Sequence, residues 1–340
     1  MKFNKINKII LFGGSRLTSE LADFVSQKPD FQLVVFTAER HLDEVVRKNG
    51  ETLKQILEKR KIKYFVAENI NTNANLINEV TKNTLGIALG AAWIFDLKTV
   101  KLFSKNHLLD FMGVDLPRYR GGAHYTWQIL HQNRKGCANL QVINGGKETF
   151  HLGEIVKREE YRLPASLKKP IDFFEYIVSR ELNFLKEFFG EIKKSKDFKF
   201  LKLNEEHSSC YPFLSTMKSG LIDWSWSGKD LFLFISAFDD PYPGASTFCE
   251  DRRVFLKDAI LFKAEEKYHP FTSGIVVRRN KDAIFVATTG NLLKLGRVLD
   301  ESGRDVKDEI KLGDRFYTPI AELDKSRQFS AVYGARGLKK

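Results

Sequence analysis

The residues that could do chemistry are concentrated in one stretch, residues 108–127, which reads LLDFMGVDLPRYRGGAHYTW. Its first five residues form an apolar run that contains Asp110, and such a run predicts a short buried strand. Arg118 and Arg120 follow on a loop, just beyond the strand end where open α/β sheets bind their ligands. These two guanidinium groups either contact an anionic group of a ligand or form salt bridges within the loop.

The backbone of this stretch is restricted at one point and permissive at another. Pro117 fixes one φ angle, whereas Gly121 and Gly122 can adopt left-handed conformations. A helix is predicted over residues 123–131. His124 stands directly after the glycine pair, and its position predicts a helix-start residue that faces solvent.

The elements before this stretch alternate between strand and helix. A strand over residues 8–12 ends in Gly-Gly-Ser, and the next helix begins near Thr18. Alternation of this kind predicts a doubly wound, mostly parallel sheet of the α/β class. The further predictions are helices over 18–27, 42–58 and 73–80, and strands over 33–36, 62–66 and 86–89.

The second half of the chain predicts a change of architecture. Strands over 138–143 and 155–161 precede a long amphipathic helix over 171–192, which should close the first domain. The charged run at residues 157–160 is interpreted as a solvated strand edge. Five short strands are predicted after this helix, at residues 245–248, 254–262, 274–278, 283–287 and 292–298. Together they predict a β-rich, barrel-like module. We therefore predict an α/β domain over residues 1–205 and a C-terminal module over residues 206–340.

Composition excludes several classes of protein. The chain has 340 residues and a formal net charge of +12, but its basic residues are scattered, so nucleic acid is not the expected partner. Its three cysteines are widely separated, which predicts neither a disulfide framework nor a metal site and fits a cytoplasmic protein. Neither a signal peptide nor a membrane span is predicted.

Several motifs together resemble the formyltransferase family. They are LPRYRGGA at residues 116–123 with Trp127, LGEIV at 152–156 followed by Pro164, PYPGA at 241–245 and GDRFYTP at 313–319. The last two, with RYRGGA, are most similar to the sugar N-formyltransferases, and methionyl-tRNA formyltransferases are the next most similar branch. This resemblance implies the family's fold, a Rossmann-like sheet followed by a smaller β-rich module.

The resemblance also locates the catalytic positions, and all three are changed. Asp110 stands where the family has asparagine, Met112 where it has histidine, and His151 where it has aspartate. In formyl transfer an amine attacks the formyl carbon, so the site must accept a proton and donate hydrogen bonds to a developing oxyanion. A thioether donates none, and losing one such donor typically costs about 10²–10³ in rate.

By the same resemblance, the cofactor is 10-formyltetrahydrofolate and the partner is a nucleotide-linked amino sugar. The segment expected to hold the pterin ring is Leu89, Gly90, Ala91, Ala92 and Trp93. Ordinary close packing explains the same small residues equally well. Substrate contacts are expected from Arg118, Arg120, Gly121 and Gly122, and a homodimer is implied.

Three functions stay open at this point. The first is a weak or inactive relative that keeps a ligand cleft but has a degenerate catalytic site. The second is an active N-formyltransferase with a rebuilt Asp110–His151 pair, and the third is an enzyme like methionyl-tRNA formyltransferase. In a displaced register, His107 or His124 would replace the missing histidine. A contact between Asp110 and His151 in a cleft would favour the second.

Overall fold

The computed structural model describes residues 1–338 apart from 4, 48, 149–150 and 264–266. The first eight strands are β1 Lys8–Gly13, β2 Gln32–Thr37, β3 Lys63–Val66, β4 Thr84–Leu89, β5 Leu108–Met112, β6 Arg120–Gly121, β7 Lys135–Val142 and β8 Ile155–Arg162. The larger sheet has seven of these strands in the order β3-β2-β1-β4-β5-β7-β8. The first five in this order are parallel, and β7 and β8 complete the sheet in antiparallel fashion. The predicted α/β class is confirmed.

Helices cover both faces of this sheet, and side-chain caps mark where several of them begin. Ser15 caps α1, Asn73 caps α4 and Asp96 caps α5, in each case by accepting a backbone N–H of the first turn. The helices are α1 Arg16–Ser26, α2 Glu39–Leu42, α3 Leu53–Lys59, α4 Ala74–Glu79, α5 Leu97–Val100, α6 His124–Leu130, α7 Pro170–Lys193, α8 Thr216–Ser219, α9 Gly228–Ala237 and α10 Ile320–Gln328.

The helix predicted over residues 42–58 is wrong in its first half. Gly50 adopts a φ of 84°, and Val45 pairs with Thr52 in an isolated antiparallel bridge, so the chain turns back there. Thr52 then starts α3 with a capping box that it forms with Gln55. The capping box, rather than the apolar spacing, determines where this helix begins.

The C-terminal module is built on a second, curled antiparallel sheet. The remaining strands are β9 Cys210–Tyr211, β10 Ala245–Cys249, β11 Arg252–Phe262, β12 Val276–Arg279, β13 Ile284–Thr288, β14 Asn291–Leu299, β15 Phe316–Tyr317, β16 Tyr333–Gly334 and β17 Gly337–Leu338. Six of them form the sheet of this module in the order β12-β13-β14-β11-β10-β15. Its outer strands meet through a bridge between Ile275 and Arg315, which closes the sheet towards a barrel. The predicted barrel-like module is confirmed.

The long helix α7 belongs to two hydrophobic cores. Phe173 and Ile177, near its start, are buried among residues of the C-terminal module. Phe184 and Phe188, further along, are buried beneath the larger sheet. In addition, β9 pairs with β6, so the segment after residue 205 returns to the loop that follows β5. None of the helices in the described part of the chain is long and apolar enough to cross a membrane.

Candidate active site

A cleft of about 480 Å³ lies beyond the carboxyl ends of β4 and β5. Ligand sites in proteins typically occupy about 300–1,000 Å³, so this volume suits a small molecule. One wall follows β4 and consists of residues 90–95, and the facing wall is formed by β5 and residues 121–124. The cleft is therefore at the edge of the sheet where ligands of open α/β folds bind.

The structure brings Asp110, Met112 and His151 together at this cleft, and all three line it. Asp110 and Met112 share one face of β5 because side chains alternate along a strand. His151 comes from the loop before β8, and its Nε2 lies 3.4 Å from Oδ2 of Asp110. Met112 packs against an apolar group of three residues, Val114, Leu116 and Ile155. The cleft thus contains a carboxylate–imidazole pair beside a thioether.

The backbone of His151 is held by two donors from the protein interior. Its carbonyl accepts Nε2 of Gln141 at 3.0 Å and Nε of Arg120 at 2.9 Å. Gln141 is opposite Asp110 in the β5–β7 ladder, so one pair of strands positions both members of the pair. His151 adopts a φ of 59°, a left-handed conformation that is uncommon for a non-glycine residue. These donors fix the loop in that conformation.

Arg120 is buried, and its guanidinium bonds to protein groups. Besides the His151 carbonyl, it forms an ion pair with Glu205, with Nη2 2.9 Å from Oε1, and it donates to Ser208. Arg118 is half-exposed, 3.9 Å from Asp115. Neither arginine lines the cleft, so the salt-bridge alternative for this loop matches the geometry.

The glycine pair does line the cleft, and close packing requires both glycines. A Cβ at Gly121 would lie 1.8 Å from the carbonyl oxygen of Tyr211, and one at Gly122 would lie 2.1 Å from the ring of Phe213. Gly121 also has a φ of 103°, where side chains are disfavoured. The pair therefore allows residues 210–213 to cross directly over this wall.

His124 begins α6, as predicted, but it lines the cleft instead of facing open solvent. Its Nε2 lies 3.0 Å from the carbonyl oxygen of Gly121, and since a carbonyl only accepts, Nε2 carries the proton. Burial, followed by the nearby His151, lowers the pKa of His124 to about 4. His124 is therefore neutral near pH 7. His107, the other alternative, is at the opposite end of β5, where it packs on Phe3.

The loop after β5 is anchored by a buried amide that the sequence did not reveal. Nδ2 of Asn139 donates to the carbonyls of Met112 and Val114 at 3.0 and 2.7 Å. Oδ1 of Asn139 accepts Nη1 of Arg158 at 2.8 Å, and Arg158 also contacts Asp115. The interpretation of residues 157–160 as a solvated edge is wrong for Arg158, because its guanidinium turns inward to this loop.

The wall after β4 is built from small residues and one aromatic. Gly90, Ala91, Ala92 and Trp93 line the cleft, and the Trp93 indole N–H donates to the carbonyl of Glu68 at 2.9 Å. Leu89 is buried within β4, and its carbonyl accepts the hydroxyl of Thr18. Arg40, which stands in no recognisable motif, also lines the cleft and supplies a cation there.

Comparisons with known proteins find relatives of this chain in sequence and in fold. The model for the C-terminal domain of formyl transferases matches residues 215–309, which include most of the barrel-like module. The chain therefore carries a C-terminal domain of the formyl transferase family. The methionyl-tRNA formyltransferase of Streptococcus pyogenes serotype M2 is 23% identical over 296 residues, which cover 85% of this chain and 89% of that enzyme.

Another relative is much longer than this chain. The bifunctional polymyxin resistance protein ArnA of Wigglesworthia glossinidia brevipalpis is 28% identical over 221 residues, 61% of this chain but 31% of that protein. The match to the methionyl-tRNA formyltransferase of Acetivibrio thermocellus covers 58% of that enzyme. The chain thus spans about a third of the length of ArnA and somewhat over half of the length of the Acetivibrio thermocellus enzyme.

Solved structures show the same fold at low sequence identity. An N-formyltransferase from Helicobacter canadensis, in complex with folinic acid and dTDP-3-aminofucose, has a TM-score of 0.62 and 15% identity, covering 86% of this chain and 99% of that one. HypX from Aquifex aeolicus, in complex with tetrahydrofolic acid, has a TM-score of 0.56 and 14% identity, covering 88% and 45%. Both neighbours bind folate-type molecules.

Proposed function

We propose that this chain is an N-formyltransferase of the sugar type in which Asp110 and His151 have replaced the family's catalytic residues. The observation that carries this proposal is the 3.4 Å contact between their side chains inside the cleft. A carboxylate beside an imidazole supplies both a proton acceptor and a hydrogen-bond donor. The pair combines the chemical functions that the reaction needs. Compared with the family, the carboxylate is now on β5 and the imidazole is on the loop before β8.

The two side chains differ in what they can do for an attacking amine. The carboxylate of Asp110 has no proton to donate when ionised, so we assign it to accepting the amine proton. The imidazole of His151 carries a ring N–H, and we assign it to donating to negative charge that develops on the acyl oxygen. The anchored carbonyl of His151 supports this role, because a donor must be held in place before the reaction begins.

The residues of the β4 wall fit a flat, formyl-carrying folate. The small residues Gly90, Ala91 and Ala92 leave backbone N–H and C=O groups close to the cleft, and Trp93 adds an apolar surface. Leu89 supports this wall from within the sheet. When bound, 10-formyltetrahydrofolate supplies the one-carbon unit. We place the amino sugar on the other side of the cleft, beside Gly121, Gly122 and His124.

The test measures formyl transfer from 10-formyltetrahydrofolate to a panel of dTDP-linked amino sugars, with products detected by mass spectrometry. We expect wild-type turnover, and a loss of about 10²-fold or more in both His151→Gln and Asp110→Asn. The matched control is His207→Gln, a change at an exposed histidine, which should leave turnover unchanged. Turnover that survives both cleft substitutions would contradict the assigned roles.

A second candidate function is ligand binding without transfer, and the position of Met112 favours it. Met112 lines the cleft where the family places a histidine, and its thioether donates no hydrogen bond. This candidate predicts no wild-type turnover, while calorimetry still detects binding of 5-formyltetrahydrofolate. The double variant Asp110→Asn with Met112→His would then gain transfer activity. A chain that neither binds folate nor transfers formyl groups would reject both candidates.

A further inference from the structure

The C-terminal segment, residues 331–338, leaves α10 and runs beside the cleft. Ala331 forms an antiparallel bridge with Phe213, and the hydroxyl of Tyr333 donates to the carbonyl of Leu214 at 3.0 Å. The rings of Tyr333 and Phe213 are in contact, with centroids 5.8 Å apart. A backbone bridge, a hydrogen bond and a ring contact therefore attach the start of this segment to residues 213–214.

The same two aromatic rings belong to the cleft. Phe213 and Tyr333 both line it, and the Phe213 ring occupies the space next to Gly122. The C-terminal segment thus completes the wall on the side of the glycine pair.

The far end of the segment is attached to the opposite side of the cleft. After the β16–β17 turn, Nη2 of Arg336 lies 2.7 Å from Oε1 of Glu68. The carbonyl of Glu68 accepts the indole N–H of Trp93, so this anchor point is next to the β4 wall. Residues 331–338 therefore connect the two walls.

The two attachments differ in strength. The Arg336 and Glu68 side chains are 82% and 70% exposed, and an ion pair so exposed contributes little because water and salt screen it. The attachment at residues 213–214 combines backbone pairing with aromatic contact. The far end can consequently detach while the near end stays in place.

We propose that residues 331–338 form a strap that closes over the cleft, with the Arg336–Glu68 ion pair as its latch. Ligands enter when the latch opens and the segment turns about its attachment at residues 213–214. Tyr333 stays attached to residues 213–214 and remains part of the wall, while the residues after it close over the bound molecule. This inference concerns access to the cleft, so it holds for either candidate function.

The test measures how fast a thiol placed in the cleft reacts, without any ligand. A Met112→Cys variant places that thiol on the cleft floor, and maleimide labelling is followed by peptide mass spectrometry. Arg336→Glu should label about three- to fivefold faster, and adding Glu68→Arg should restore the slow rate. Tyr333→Ala should label about tenfold faster, because it removes the ring that closes the wall. Salt should accelerate labelling only when the latch is intact.

Two controls make the outcome decisive. The exposed native Cys210 lies outside the cleft lining and should label at one rate in every variant. Arg327→Glu breaks an ion pair with Asp223 that stays within the C-terminal module, and it should leave labelling at Met112→Cys unchanged. If Met112→Cys does not fold, Ala92→Cys on the facing wall gives the same readout. Equal cleft labelling in the latch, double and Tyr333 variants would overturn the strap.

Discussion

Two arginine–glutamate pairs flank the cleft, and they differ in burial. The Arg120 side chain is 7% exposed and pairs with Glu205, whereas the Arg336 side chain is 82% exposed and pairs with Glu68. Arg120 also donates to the carbonyl of His151. The first pair, in which Arg120 is buried although the Glu205 side chain is 53% exposed, belongs to the network that positions reacting groups. The second pair, exposed on both sides, holds a segment that can open at little cost. An arginine–glutamate pair therefore fixes the position of His151 at one end of the cleft, and another controls the entry of ligands at the other end.

The largest effect on stability is expected at Asn139, which anchors the positioning network. Asn139→Leu leaves the carbonyls of Met112 and Val114 buried without their donor, and each such group costs about 1–3 kcal/mol. The free energy of unfolding, measured with urea, should fall by about 3–5 kcal/mol. Asn75→Leu, on the exposed face of α4, is the control and should change it by less than about 0.5 kcal/mol. Equal losses of stability in Asn139→Leu and Asn75→Leu would show that Asn139 does not anchor the positioning network.

The next effect is a pH dependence at Glu181, whose carboxyl packs against Gly113 at the end of β5. Burial raises the pKa of Glu181 from an ordinary value of 4.5 to about 8. Between these values the folded chain keeps a proton that the unfolded chain has lost, so stability should fall as pH rises from about 4.5 to 8.

Glu181→Gln removes this titration and should therefore flatten the fall. Relative to wild type, the variant should gain about 2–4 kcal/mol in free energy of unfolding between pH 5 and pH 9. Urea titrations of both proteins across this pH range provide the measurement. Parallel pH curves for the two proteins would show that the carboxyl ionises without cost in the folded chain.

A matched substitution of the two arginines tests the comparison directly. Arg120→Met should lower the free energy of unfolding by about 1–3 kcal/mol, because a buried network loses its central donor. It should also impair formyl transfer. Arg120 and Gln141 both donate to the carbonyl of His151, and Arg120→Met leaves only the bond from Gln141. Rescue by Arg120→Lys is not expected, because an ammonium cannot reproduce a branched guanidinium.

The smallest effect is expected for the matching change at the latch. Arg336→Met should alter the free energy of unfolding by less than about 0.5 kcal/mol, since an ion pair this exposed contributes about 0–1 kcal/mol. The same variant should nevertheless speed labelling of a thiol in the cleft. A loss of stability as large as that of Arg120→Met would show that the segment is part of the rigid frame.

The parts of the site that the sequence predicted are those determined by local pattern. The strand at residues 108–112 was predicted with its observed bounds, and alternation along it places Asp110 and Met112 on one face. The Gly121–Gly122 pair was predicted at the ligand side, although close packing with residues 211–213 is what requires it. The resemblance placed His151 near Asp110, and the 3.4 Å contact agrees with it.

The parts that the sequence did not predict depend on partners far along the chain. Arg120 pairs with Glu205, 85 residues away, so its inward direction could not be read from the loop alone. Arg158 stands in a charged run whose pattern is typical of a surface strand, and only the tertiary position of Asn139 explains its burial. Nothing in residues 331–338 indicates that they meet Phe213 and Glu68.

The helix α7 has a consequence for how this chain can be divided. Phe173 and Ile177 complete the core of the C-terminal module, yet they precede the residues matched by its family model. A fragment that begins at residue 206 would therefore lack both of these interior side chains, and a fragment that ends there would expose them to water. The two modules should melt in a single cooperative transition, and neither should be obtainable as a soluble, folded piece.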